Sequence, residues 1–456
     1  MSVKQVDKTK SEPVEPAGPD VGRARREHVS RQQQAEWTPP KRRPDPIKIL
    51  ITSSAGRIED LLPIRYGRMA ISPFTFFRGA AAVMASDLEK LPTTGIEVQA
   101  CGDCHLMNFG LFATPERNVV FGINDFDETM RGPWEWDLKR LVASFVVAAR
   151  DVGFDDKQCV AIAAEAVRAY RERMWEFSEM SPLEIWYDRI DLVASLDQAP
   201  DKDARRNRER LVEQARKRVA ENLFPKLVNS DNGQLRIADQ PPLIYHTPEV
   251  TSETVAAFLD SYRSSMAGDR RVLFDRYRFQ DAAIKVVGVG SVGTRCLVAV
   301  FASVGGHPLI LQVKEANASV LEGRVGKGHI EHNGERVVTG QRLMQPASDI
   351  FLGWGTSTAG REFYVRQLRD MKVSITLVRD LKQLMRYATF CGLALARAHA
   401  NTGPAGEIAG YLGTNDKADK AFAMFGLAYA EQNERDHKAL VDAIGSGRVT
   451  AISDIV

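Results

Sequence analysis

The sequence predicts an α+β chain in which a helical part is interrupted by a small antiparallel sheet. Three observations lead there. Apolar residues recur at helical spacing in long stretches between residues 72 and 223. From about residue 283 the period changes to short runs rich in Val, Ile and Leu, separated by glycine clusters. Helical spacing then returns in "LVRDLKQLMRYATFCGLALARAHA" and lasts to Gly445. The expected units are a disordered basic arm over 1–45, a helical lobe over 46–270, a small sheet lobe over 271–372, and helices over 373–456 that return to the helical lobe.

The elements follow in order. Residues 1–45 are rich in Lys, Arg, Glu, Gln and Pro, which cannot bury enough apolar surface to offset ordering entropy. Ser72 is an expected N-cap, with Pro73 at the first helical position of "SPFTFFRGAAAVMASDLEKL". "IEVQA" and "VVFGIND" read as strands, "WDLKRLVASFVVAAR" and "KQCVAIAAEAVRAYRERMWEF" as helices. "DARRNRERLVEQARKRVAENLF" reads as one charged, solvent-facing helix. "AIKVVGV", "TRCLVAVFA" and "PLILQVKEA" form a three-stranded meander, "NGERVVTGQRLMQ" a helix, "DIFLGWG" and "REFYVRQL" two further strands.

Composition narrows the function classes. With 44% hydrophobic and 26% charged residues the chain is of ordinary globular type. A net charge of +2 gives no field demanding nucleic acid or an anionic membrane as obligatory partner. Five cysteines do not suit a disulfide framework, and the chain shows neither an apolar run of ~18 residues nor a secretory h-region. A cytoplasmic protein is expected.

Three stretches carry chemistry. "GVGSVG" (Gly288, Gly290, Ser291, Gly293) is followed by a strand, which excludes a dinucleotide fingerprint, and no GK[ST] is present. It remains a glycine-rich hairpin, either a plain turn or a cover for phosphates. Lys314 ends the third strand of that meander, which puts it beneath the loop; Glu335 is a candidate partner, with Glu331 and Glu322 as competitors. "CGDCHLMNFG" and "NDFDE" supply hard oxygen ligands: Asn108, Asp125 and Asp127 suit Mg2+. Asp103 is then free to accept a proton from an attacking hydroxyl, and His105 joins it in the catalytic set as a hydrogen-bonding brace. Cys101 and Cys104 have redox spacing but no helix after them and no further zinc ligands, so they read as packing residues. Asp137 is either a helix-dipole carboxylate or a brace for the catalytic loop. Arg65, Arg68 and Arg78 either bind an anionic substrate or form ion pairs.

"GDCHLMNFG" with "INDFDE" resembles the catalytic and metal loops of aminoglycoside phosphotransferases and choline kinase-like enzymes. The resemblance implies a bilobal protein kinase-like fold, ATP and Mg2+ as cofactors, Asp103 as catalytic aspartate, and Asn108 and Asp125 as metal ligands. It places "GVGSVG" and Lys314 over and under the nucleotide. The order is inverted, since the glycine loop follows the catalytic loop, so the implied fold is circularly permuted. There is no HRD, and DFD stands in place of DFG. The segment 60–440 also closely resembles domain-of-unknown-function family 2252, through "SPFTFFRG", "GDCHLMNFG", "PWEWDLKRL", "GVGSVGTRC" and "LQVKEA". The expected activity is ATP- and Mg-dependent transfer of a phosphoryl or nucleotidyl group to an unknown small-molecule or protein acceptor. The rivals are a non-catalytic nucleotide sensor, a phosphoester hydrolase using Asp103, His105, Asp125 and Asp127, and a thiol oxidoreductase.

Overall fold

The computed structural model describes residues 18–452, apart from 198, 200, 232, 233, 327, 369, 370 and 375. Among these the chain forms sixteen α-helices and thirteen strands, an α+β architecture. Four long helices, Trp134–Asp151, Asp156–Ser178, Leu381–Ala400 and Lys417–Gly445, build the helical core. Trp134 stacks on Tyr170 at 5.9 Å inside it. Helices Leu381–Ala400 and Asp156–Ser178 approach closely because Gly392 faces Ala166, where a Cβ would stand 2.2 Å from the carbonyl oxygen.

The meander forms in the expected order, within a six-stranded antiparallel sheet. Its strands run Gly353–Thr356, Glu362–Gln367, Pro308–Glu315, Cys296–Ser303, Tyr277–Lys285 and Ile244–Tyr245 across the sheet. Cys296 sits opposite Lys314 in the register. The sheet is not a separate body. Ala316, Leu321, Val337, Val338 and Tyr364 share one buried cluster with Trp134 and Phe145 of the helical core.

Three expectations need correction. The arm is ordered from Gly18 onward; residues 1–17 lie outside the described residues. Its polar groups find fixed partners: the Arg26 Nε and Arg31 Nη1 groups donate to the Tyr411 and Leu412 carbonyls at 2.9 Å, at a helix C-terminus that leaves carbonyls unpaired. Arg43 forks to Asp87 and Asp436 at 2.6–2.7 Å, and Val29 and Trp37 are buried. The charged segment forms two helices, Lys202–Arg216 and Ala220–Leu227. The break lets Val212 and Ala215 join the helical core while Leu223 and Leu227 join the sheet's core. The expected boundary at 270 likewise falls inside the sheet's own packing: Tyr262 of helix Ser252–Ser265 lies edge-on to Phe274, which packs in turn on Phe301 and Phe351.

Among the described residues no helix is long and apolar enough to cross a membrane.

Candidate functional site

The loop after strand Glu97–Ala100 is held by the helix that follows it. Asp137, in the first turn of Trp134–Asp151, accepts the N–H groups of Cys101 (2.6 Å) and Gly102 (2.9 Å). His399 Nε2 reaches the same carboxylate at 3.2 Å, and its Nδ1 meets the Tyr170 hydroxyl at 2.9 Å. The sequence left Asp137 between a dipole carboxylate and a loop brace; it is the brace. Gly102 has φ +81°, and a Cβ there would stand 2.4 Å from the Glu128 carbonyl, so glycine is required at this turn.

Asp103 Oδ1 is taken by Arg140, whose Nε donates at 2.6 Å. Arg140 in turn lies over the Phe77 ring and donates to the Phe77 carbonyl at 3.0 Å. Asp103 Oδ2 is the other oxygen, and His105 Nε2 stands 3.9 Å from it, beyond hydrogen-bond reach. Burial, then Arg78 and Arg140, hold His105 well below the usual histidine range, and its buried Nδ1 has no partner among the described residues. His105 is therefore a neutral ring and not the hydrogen-bonding brace expected. Asn108 closes the loop instead, its Nδ2 donating to the Asp103 carbonyl at 2.8 Å.

Asp125 and Asp127 follow strand Val119–Ile123, and the structure brings Lys314 to them from the sheet. Lys314 Nζ pairs with Asp127 Oδ2, and the Tyr364 hydroxyl donates to Asp127 Oδ1 at 2.7 Å. Burial opposes ionisation of Asp127, yet Lys314 outweighs it and holds the carboxyl below the usual range. Asp125 is raised, by burial and then by the neighbouring Asp127 charge. The expected Glu335–Lys314 pair does not form. Glu335 lies in the first turn of helix Asn333–Met344 with its amide on His332, and Arg336 is the residue that reaches inward, donating to the Asp127 (2.9 Å) and Thr129 (2.6 Å) carbonyls. Asp127, already near in space, is the shorter route to a lysine counter-charge.

The glycine loop is anchored by arginines through its carbonyls. Arg68 Nη1 donates to Gly288 O (2.7 Å), Arg65 Nη1 to Gly290 O (2.8 Å) and Arg57 Nη1 to Gly290 O (2.9 Å) and Val292 O (2.6 Å). Burial, then the neighbouring Arg57, pulls Arg65 down to about 9. Arg65 and Arg68 are thus loop supports, where the sequence offered substrate binding or ion pairs. Gly293, at φ +88°, packs on Arg57 at the back of the loop.

These parts meet around one cavity of about 800 Å³. Asp103, His105, Asn108, Asp125, Asp127, Gly288, Gly290 and Ser291 all line it, although the loops are about 180 residues apart in sequence. Lys314, Glu335 and Gly293 do not; Lys314 stands one side chain back, behind Asp127. Sequence reasoning missed Glu128, Arg57 and Arg140, and the segment Ala316–Val320. Glu128 lines the cavity, accepts the Val320 N–H at 2.7 Å, and is pushed up to about 7 by burial. It adjoins "NDFD" in the sequence, which is the one signal that could have marked it. Cys101 and Cys104 are buried, and burial pushes the Cys104 thiol well above its ordinary value, so neither exposure nor ionisation suits redox work.

Among the described residues no three His, Cys, Asp or Glu side chains converge as a metal cage. Two adjacent carboxylates and an amide facing one cavity are a different donor set. It fits Mg2+, which takes one or two carboxylates and completes its shell with water and phosphate oxygens. Burial, and then the neighbouring Asp127 charge, raise Asp125, and a divalent cation would offset both.

No curated protein and no solved structure matches the chain. A family described as uncharacterized protein conserved in bacteria matches residues 57–443, which takes in the cavity wall from Arg57 to Arg324 and leaves out its stretch between Pro44 and Ala55. With that span, the chain belongs to domain-of-unknown-function family 2252 of the bacteria.

Proposed function

We propose that this protein is an ATP- and Mg-dependent phosphotransferase of kinase-like, circularly permuted organisation, acting on a small-molecule or protein acceptor. The observation that carries the reading is convergence: a glycine loop from the sheet and Asp103, Asn108, Asp125 and Asp127 from the helical part line one cavity, with Lys314 on Asp127. Phosphoryl transfer needs little covalent chemistry from a protein; positioning and charge neutralisation suffice.

Each side chain has a role in that reading. Asp103 Oδ2, the oxygen that Arg140 does not engage, takes the acceptor's proton. Asn108, Asp125 and Asp127 hold Mg2+, which would neutralise phosphate charge. Lys314 keeps Asp127 ionised and in place. His105 supplies a neutral wall and no proton.

The test is titration of Mg-ATP into wild type and variants. Asp125→Ala is expected to weaken Mg-ATP binding at least tenfold. Asp103→Ala is expected to bind it normally and to lose turnover by a factor of 10² or more. Mg-ATP affinity that Asp125→Ala leaves unchanged would remove the metal assignment. Absence of any Mg-ATP binding by wild type would remove the reading itself.

A further inference from the structure

Arg78 is the guanidinium lining the cavity that donates no hydrogen bond to any described residue. It lies at the end of helix Pro73–Gly79 and lines the cavity. Arg57, Arg65, Arg68 and Arg140 each donate to a carbonyl or a carboxylate. Arg78 donates to none of the described residues, and its Nε is buried without a partner. Its nearest opposite charges are Asp103 and Asp125, felt through space and not through a hydrogen bond. A half-buried guanidinium whose Nε is sealed from water is costly in this state unless something pairs with it.

The adjoining glycine loop has the same imbalance. The carbonyls of Gly288, Val289, Gly290, Ser291, Val292 and Gly293 all accept hydrogen bonds, most of them from arginines. The N–H groups of Gly288, Val289, Gly290 and Ser291 find no acceptor among the described residues. Consecutive amides with tied carbonyls and free N–H groups make an anion-binding concavity. The two features line the same cavity, and their backbones run close together: a Cβ at Gly290 would lie 3.2 Å from the Arg78 carbonyl oxygen.

We propose that Arg78 and the amides of Gly288–Ser291 form a polyphosphate seat, in which Arg78 takes the phosphate nearest Asp103. A planar fork matches phosphate oxygens two at a time, and four successive amides can span more than one phosphate group. A single carboxylate would leave most of those donors unmet. The seat shares with the phosphotransferase reading only the premise that phosphate enters this cavity; it needs neither a nucleoside nor turnover.

The experiment is calorimetric titration of the full-length protein with tripolyphosphate, without nucleotide, in wild type, Arg78→Lys and Arg78→Gln. Wild type is expected to bind, Arg78→Gln to bind at least tenfold more weakly, and Arg78→Lys, which keeps the charge and loses the fork, to fall between them. Equal affinity in wild type and Arg78→Gln overturns the seat, as does wild type that binds no tripolyphosphate. Where Arg78→Gln does not fold, equal affinity of wild type and Arg78→Lys overturns it. Parallel Mg-ATP titration separates the two conclusions. Arg78-dependent tripolyphosphate binding without Mg-ATP binding keeps the seat and ends the phosphotransferase reading. Mg-ATP turnover, with tripolyphosphate affinity indifferent to Arg78, does the reverse.

Discussion

Glu128 stands at the cavity wall one residue beyond Asp127, with one oxygen on the Val320 amide and a carboxyl pushed up by burial from 4.5 to about 7. Its proton is retained in the folded state and given up in the unfolded chain between those two values. Stability therefore falls as pH rises through that window. Glutamine keeps the acceptor for Val320 and removes the titration. Glu128→Gln is expected to melt near the wild-type temperature at pH 5 and above it at pH 8. The gain there is on the order of 2 kcal/mol, since a tenfold change in a carboxyl's proton affinity is worth about 1.4 kcal/mol. Melting curves in metal-free buffer at both pH values check this; a gap of the same size at pH 5 would contradict it.

At the scale of elements, the Cys101–Asn108 loop owes its shape to a helix start. Asp137 serves the Cys101 and Gly102 amides and His399 with one carboxylate; Asp137, Cys101 and His399 are buried and Gly102 is half-buried. Asp137→Ala leaves the buried Cys101 N–H and the half-buried Gly102 N–H without acceptors, and a buried donor left unmet costs about 1–3 kcal/mol. The expected loss is about 3 kcal/mol in urea unfolding, with faster hydrogen exchange at Cys101 and Gly102 than in wild type. Exchange at those amides that stays slow would show that the loop is held from elsewhere. The Asp125–Asp127 pair belongs to this scale too, because strand Val119–Ile123 delivers both carboxylates while strand Pro308–Glu315 delivers the lysine that stabilises one of them.

For the whole molecule, the ordered arm ties the two ends of the chain together. Arg43 bridges Asp87 near the start of the fold and Asp436 near its end, with all three side chains largely buried. Removing one member of a buried ionic cluster strands the others at a cost of about 3–5 kcal/mol. Arg43→Ala is therefore expected to lower stability by about 3 kcal/mol and to loosen helix Lys417–Gly445. Urea titration measures the first effect and limited proteolysis the second. A variant as stable as wild type would mean that the arm rests on the surface without holding it.

The sequence by itself determined the α+β class, the strand order of the meander, the Ser72 cap and the loops that carry Asp103, Asn108, Asp125 and Asp127. These are written in local periods and turn residues, which act over a few positions. Only the tertiary structure decided that Lys314 pairs with Asp127 and not Glu335, that His105 is neutral, and that Arg65 and Arg68 hold a loop while Arg78 donates no hydrogen bond to any described residue. It also decided that a polar arm is ordered. The physical reason is common to all four. A charge takes its partner and its protonation state from what folding brings within a few ångströms and from how far water is excluded there, and residues separated by hundreds of positions carry no local sign of either.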